Sequence, residues 1–282
     1  MLLLEICGFT HTTQVGNHSD PLEGGVAMNV SARRREIVDL VRAAGRVEAA
    51  ELSSRFAVNA ETIRRDLSAL EAAGDLQRIH GGAVARVTLA VEGRVSGRIA
   101  ERRDEKLAIA RAAAREIPPF GAIFIEAGST TGHLARLLPD RGDLLIVTNA
   151  LQIALELTDL GRSTVMTIGG RVRPASYAEV DAWALERLAQ LRFDVAFVGA
   201  NAVDPTWGLS TPDPGEAAVK SAILASAQKA VLMTDHTKFG LRAACRYGAI
   251  GDVDLIVTDR GIGSATVDDL RALGTEVRLA DG

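Results

Sequence analysis

The sequence predicts an α/β protein in two parts, a small helical unit and a larger one on a mostly parallel sheet. Three observations carry this. Between Ala32 and Leu70, apolar residues recur at helical spacing. From Phe120 onward, short β-branched runs alternate with alanine- and leucine-rich helical stretches, the pattern of a parallel sheet covered on both faces. Between the two regimes stands Pro118-Pro119, which a helix cannot run through. The expected division is an extension at 1–28, the small helical unit at 29–86, a linker and connecting helix at 87–118, and the larger α/β unit at 119–282.

Composition sets outer limits. With 282 residues, 47% hydrophobic and 24% charged, the chain has the make-up of an ordinary globular protein. The apolar opening, Met1 to Phe9, is interrupted by Glu5 and has no basic start, so neither a membrane span nor a secretory signal is expected. Cys7 and Cys245 are isolated, which fits a reducing cytoplasm and offers no disulfide framework or metal motif. No metal and no cofactor is expected. The net charge is −4, yet residues 29–86 hold ten arginines against eight carboxylates and are the only positive segment. A surplus of +2 would attract a polyanion only weakly, so if this segment binds one, two or more copies acting together are expected.

Residues 1–28 lack periodicity and contain Gly16-Asn17-His18-Ser19-Asp20-Pro21 and Gly24-Gly25, so they are expected to be disordered. Met28 lies just before the first helical pattern and is a candidate translation start. A first helix is expected over Ala32–Ala44, with Ile37, Leu40 and Val41 inward and Gly45 closing it. Leu52 and Phe56 mark a second helix, Ala57-Val58 break it, and Asn59 can cap a third. In that third helix Ile63, Leu67 and Leu70 share one face. Glu61, Arg65 and Ser68 lie opposite, with Thr62 and Arg64 on the flanks. This is a helix-turn-helix pattern with two arginines near the start of the recognition helix, where such helices read base edges. The alternation in Leu76-Gln77-Arg78-Ile79-His80-Gly81-Gly82 then suggests a two-strand wing that carries Arg78 and His80 to the phosphate backbone. The DNA-binding candidates are therefore Asn59, Glu61, Thr62, Arg64, Arg65, Ser68, Arg78 and His80, and the partner is double-stranded operator DNA.

The run Glu61-Thr62-Ile63-Arg64-Arg65-Asp66-Leu67, then Leu70-Glu71, Gly74, Leu76, Arg78 and His80-Gly81-Gly82-Ala83, resembles the N-terminal winged helix-turn-helix of the DeoR family of bacterial transcription regulators.

Beyond the wing, a single helix is expected over Arg98–Ile117, joining the two units as a lever. Strands are expected at Ala122–Glu126, Leu144–Thr148, Val165–Ile168, Asp194–Val198, Ala230–Thr234, Leu255–Thr258 and Glu276–Leu279. Helices are expected at His133–Leu138, Leu151–Leu157, Ala182–Leu191, Glu216–Ala227 and Thr266–Leu273. Ligands of such sheets bind where strands end and helices begin, and the strand ends here are polar. Glu126-Ala127-Gly128-Ser129-Thr130-Thr131-Gly132 reads as an anion cradle, without the lysine of a Walker loop. Thr148-Asn149, Gly169-Gly170, Lys220 and Asp235 through Lys238 complete the candidates. Hydroxyls, two lysines and two carboxylates at one edge suit a small phosphorylated sugar.

The same stretches extend the DeoR resemblance to nearly all of 29–282. It implies an effector domain similar to ribose-5-phosphate isomerase, binding sugar phosphates without turnover, in a repressor of sugar-metabolism genes. Glu126 stands where the family usually has aspartate and Asp181 where it usually has glycine. The alternative reading is a sugar-phosphate isomerase with an appended DNA-binding domain, using Glu126, Asp235 or Glu216 to move the proton.

Overall fold

The computed structural model describes residues 29–44, 46–73, 75–79, 81–85, 95–138, 143–161 and 164–281. The expectations for 1–28, for Gly45 and for His80 fall outside the described residues.

The N-terminal unit contains α1 (Val30–Ala44), β1 (Arg46–Glu48), α2 (Ala49–Phe56), α3 (Ala60–Ala73), β2 (Leu76–Ile79) and β3 (Gly82–Ala85). Ile37, Val41, Leu52, Ile63, Leu67, Leu70 and Leu76 meet in one core, so the helical stripes seen in the sequence all face inward. Ala57 ends α2 at φ 50, and its amide returns to the Ser54 carbonyl, which closes the turn. The wing has a third strand that the sequence pattern did not predict. β3 lies between β1 and β2, with Val47 opposite Ala83 and Arg78 opposite Ala83 from the other side. Gly82 allows this, because a Cβ there would lie 2.0 Å from the Val47 carbonyl oxygen. A second unpredicted link is electrostatic. Asp66, buried in the α3 stripe, accepts from Arg33 at 2.7 Å and Arg34 at 2.8 Å, fastening α1 to α3.

The expected connecting helix is two helices. α4 (Val95–Ala100) and α5 (Arg103–Ala113) are separated at Arg102, which sits at φ 50 in the left-handed region. α5 then packs over the larger sheet.

That sheet is built from β4 (Gly121–Ile125), α6 (Thr131–Ala135), β5 (Leu144–Thr148), α7 (Leu151–Leu160), β6 (Thr164–Thr167), a hairpin of β7 (Arg171–Arg173) and β8 (Ala178–Val180), α8 (Ala182–Leu188) and β9 (Phe193–Val198). It continues through β10 (Ala202–Asp204), β11 (Gly208–Thr211), α9 (Pro214–Ser226), β12 (Ala227–Met233), β13 (Cys245–Gly248), β14 (Leu255–Thr258), α10 (Ser264–Ala272) and β15 (Glu276–Leu279). Seven parallel strands run in the order β15-β14-β12-β9-β4-β5-β6. The chain winds from β4 toward β6, then crosses back to place β9 on the other side of β4, so β4 and β9 flank the topological switch point. Ligand crevices form there. The hairpin and an antiparallel sheet, β10-β11-β13, were not predicted, since strands of three or four residues give too little alternation to read. α1 rests against α10 and the 3-10 turn at His236–Lys238, where the two units meet.

Candidate functional site

Two sites were expected, and the structure shows where the residues proposed for each lie. On α3, Asn59 caps the helix as predicted, its Oδ1 accepting from the Thr62 amide and hydroxyl at 2.8 Å each. Arg64 and Arg65 project from the exposed face, their side chains 62% and 77% accessible. Each reaches back to Glu61, at 3.3 and 3.4 Å. Such exposed pairs contribute only about 0.2–1 kcal/mol, so both arginines can leave Glu61 for a phosphate or a guanine edge. From β2, Arg78 donates to the Ser68 hydroxyl at 2.8 Å, which sets the wing against the recognition helix. Seven of the eight DNA-binding candidates therefore sit on α3, its cap and the wing, and His80 lies outside the described residues. For Arg65→Ala the expected result is a loss of about 1–3 kcal/mol in specific DNA affinity, with no change in melting temperature. Anisotropy titration at fixed salt measures it.

The second site is a chamber at the switch point. Its floor is a buried ion pair. Lys220 of α9 lies 2.7 Å from Glu126, which follows β4, and neither side chain is more than 4% exposed. The Gly199 peptide, just after β9, is held by the same groups: its amide donates to Glu126 at 3.0 Å, and its carbonyl accepts from Lys220 and from the Tyr247 hydroxyl, each at 2.9 Å. Burial pushes the Glu126 carboxyl up, with Lys220 opposing, and burial together with the Glu126 charge drives Tyr247 well above its usual range. One wall is Gly128, Ser129, Thr130 and Thr131 leading into α6, all at the chamber as expected. Another is Glu216, cap-bonded at the start of α9 and holding the Thr211 and Ser176 hydroxyls and Arg173. Thr234, Asp235, Thr237 and Lys238 close the end of β12. Thr234 Oγ1 is buried with no protein hydrogen-bond partner.

Four expected residues are elsewhere. Thr148 bonds the Ile125 carbonyl at 2.6 Å and Asn149 accepts the Ala127 amide at 2.9 Å, so both brace the cradle from behind. The Gly169 amide donates to Glu179, and Gly170 turns at φ 113, shaping the approach to the hairpin and not the chamber. The sequence reading missed Arg98, Glu101, Arg102 and Lys106, which form the wall nearest the linker. Burial holds the Lys106 ammonium below its usual range, against the pull of Asp235. The strand-end rule that found Glu126 applies equally to Gly199–Asn201, whereas nothing in a helical stripe marks Lys106.

Asp181 does not line the chamber. It pairs with Arg171 at 2.6 Å and sits at φ 79, ψ −169, backbone that only glycine adopts without strain. Asp181→Gly should relieve about 1–3 kcal/mol of strain, offset in part by the lost restriction of the unfolded chain, and gives up only an exposed pair with Arg171. A net gain of about 1 kcal/mol by urea melting is expected.

Beside the chamber, His236 Nδ1 lies 2.6 Å from Asp259, with Arg102 near its other nitrogen. The hydrogen bond to Asp259 raises the His236 value despite burial and Arg102. The Asp259 value is lowered, because the bonds from His236 outweigh burial. The histidine contribution is full below its unfolded value and fades as pH rises through the raised folded one. The aspartate contribution is full above its unfolded value and is lost as pH falls through the lowered folded one. The gap in melting temperature between wild type and His236→Gln should therefore be widest between about pH 4 and 6.5 and shrink above neutrality.

Among the described residues no helix could cross a membrane, and no cluster of ligating side chains could hold a metal. Residues 33–88 match the model of the DeoR-like helix-turn-helix domain, and residues 101–260 match that of the DeoR C terminal sensor domain. The chain is 33% identical over 250 residues to the HTH-type transcriptional regulator GlpR of Haloferax volcanii, covering 89% of this chain and 97% of that one. It is 33% identical over 232 residues to the glycerol-3-phosphate regulon repressor of Escherichia coli K12, covering 82% and 92%. Among solved structures, ribose 5-phosphate isomerase A from Methanocaldococcus jannaschii aligns over 50% of this chain and 55% of that one, at 20% identity and a TM-score of 0.37.

Proposed function

The chain belongs to the DeoR family of DNA-binding transcription regulators, and from that premise we propose that it is a cytoplasmic repressor whose operator affinity is set by a phosphorylated sugar-pathway intermediate. Its relatives are named regulators and repressors, not enzymes, so the isomerase alternative is set aside. The observation that supports the effector reading is the make-up of the chamber. Arg102, Lys106 and Lys238 supply positive charge, Ser129, Thr130 and Thr131 supply donors at a helix start, and Glu216 and Asp235 supply acceptors for sugar hydroxyls. Lys220 is already paired with Glu126, so its part is to position the floor.

Because the E. coli relative is named for the glycerol-3-phosphate regulon, glycerol 3-phosphate opens the ligand panel, followed by ribose 5-phosphate and fructose phosphates. Calorimetry should show binding by a phosphorylated compound and at least tenfold weaker binding by its unphosphorylated counterpart, since a charge-assisted contact contributes about 1.5–3 kcal/mol. Equal affinity for the two would refute the reading. We further propose that two or more copies engage the operator, because one unit carrying +2 binds weakly. A monomer alone in light scattering at operator-binding concentrations would contradict this.

A further inference from the structure

The linker enters the chamber. α4, the first described element after the winged unit, contributes Arg98 to the wall, followed by Glu101 and Arg102, and Lys106 of α5 stands beside them. α4 buries Val95, and two hydrogen bonds fasten its backbone. At its start the Val95 amide donates to the Ala175 carbonyl at 2.8 Å, next to the chamber residue Ser176. Near its end the Lys106 ammonium donates to the Arg98 carbonyl. The left-handed turn at Arg102 interrupts the helix between α4 and α5, so α4 is not a rigid continuation of α5, and the Lys106 bond ties its carbonyl edge to α5 across that break. Lys106 is only 3% exposed, and the charges acting on it include those of Asp235 and Lys238 across the chamber. A carbonyl is a neutral acceptor. An anion in the chamber is a charged one, and charge-assisted bonds are roughly twice as strong.

We propose that Lys106 couples the chamber to the linker: an anionic ligand draws its ammonium off the Arg98 carbonyl and so unfastens the end of α4. The proposal rests on the reading of the chamber as an anion-binding site. It deepens that reading, because it says how occupancy reaches the DNA-binding unit. A ligand shifts an equilibrium only through its different affinities for two arrangements. Here the two arrangements are Lys106 on the linker carbonyl and Lys106 on the ligand.

Hydrogen exchange on the full chain tests it, with inorganic phosphate and then the sugar phosphates of the panel as probes. Without ligand, Lys106→Met should raise exchange across residues 95–102 at least tenfold and leave the strands of the large sheet unchanged. Its affinity for duplexes selected by the wild type from random DNA should equal that of ligand-saturated wild type. In wild type, a probe that binds should raise exchange across the same residues. Lys106→Gln keeps a neutral donor, so it should retain the slow exchange of α4 and lose the response to the probe; should Lys106→Met fail to fold, Lys106→Gln tests the coupling, and a response to the probe equal to wild type overturns it. Unchanged exchange at 95–102 in Lys106→Met overturns the tether. Probe binding in wild type, seen as a thermal shift, without loosening of α4 overturns the coupling alone. No thermal shift with any probe overturns the anion-site reading, and the proposal with it.

Discussion

Lys220→Ala is expected to cost the larger unit about 3–5 kcal/mol, the effect of removing one member of a buried ion pair. Glu126 would remain 1% exposed with only the Gly199 amide to satisfy it, and the Gly199 carbonyl would lose one of its two donors. The carboxylate then takes up a proton or draws water into the floor. Both tryptophans, Trp183 and Trp207, lie in the larger unit, so the urea midpoint by tryptophan fluorescence reads the loss directly. The double variant Glu126→Leu with Lys220→Met should recover most of the stability, because an apolar pair of similar volume needs no desolvation of charge. If Lys220→Ala melts with wild type, the pair does not hold the floor together.

The second large effect belongs to the winged unit. Asp66→Ala should destabilise that unit by about 3–5 kcal/mol, since it strips Arg33 and Arg34 of their shared carboxylate and leaves the buried Arg33 with less compensation. The two arginines, with the shared apolar core, hold α3 on α1, so DNA affinity should fall as well. Circular dichroism should show early loss of helix while tryptophan fluorescence keeps the wild-type midpoint, because neither tryptophan is near. Coincident early loss of both signals would mean that Asp66 supports more than its own unit.

The two sites differ in how far the sequence exposed them. On α3 the cap, the buried stripe and the outward arginines follow from spacing alone, because a helix surface maps one-to-one onto sequence. Asp66 was missed, although with Ile63, Leu67 and Leu70 it completes an i, i+3, i+4, i+7 stripe, and a charge in such a stripe calls for a partner. β5, β14 and β15 occupy the residues expected: the first two are continuous apolar runs, as buried parallel strands are, and β15, at the sheet edge, alternates polar with apolar residues. The chamber was half legible. Residues at strand ends could be found by rule, but Lys106 and Arg102 reach it from the linker side, through the packing of α5 on the sheet and a left-handed turn at a residue with no sequence mark for one. Glu126 and Lys220 were seen as separate polar residues. Their pairing depends on β4 and α9 meeting across ninety-odd residues, which no local pattern encodes.

The winged unit and the sheet each bury their own apolar residues, and among the described residues none belongs to both cores. Mutations that repack one core therefore leave the other free of compensating change, and heredity can treat the two as separate parts. A head recombined from a relative brings its own packing with it. Its success depends on the few residues of α1 and α4 that touch the larger unit, and a new operator can be acquired without rebuilding the chamber.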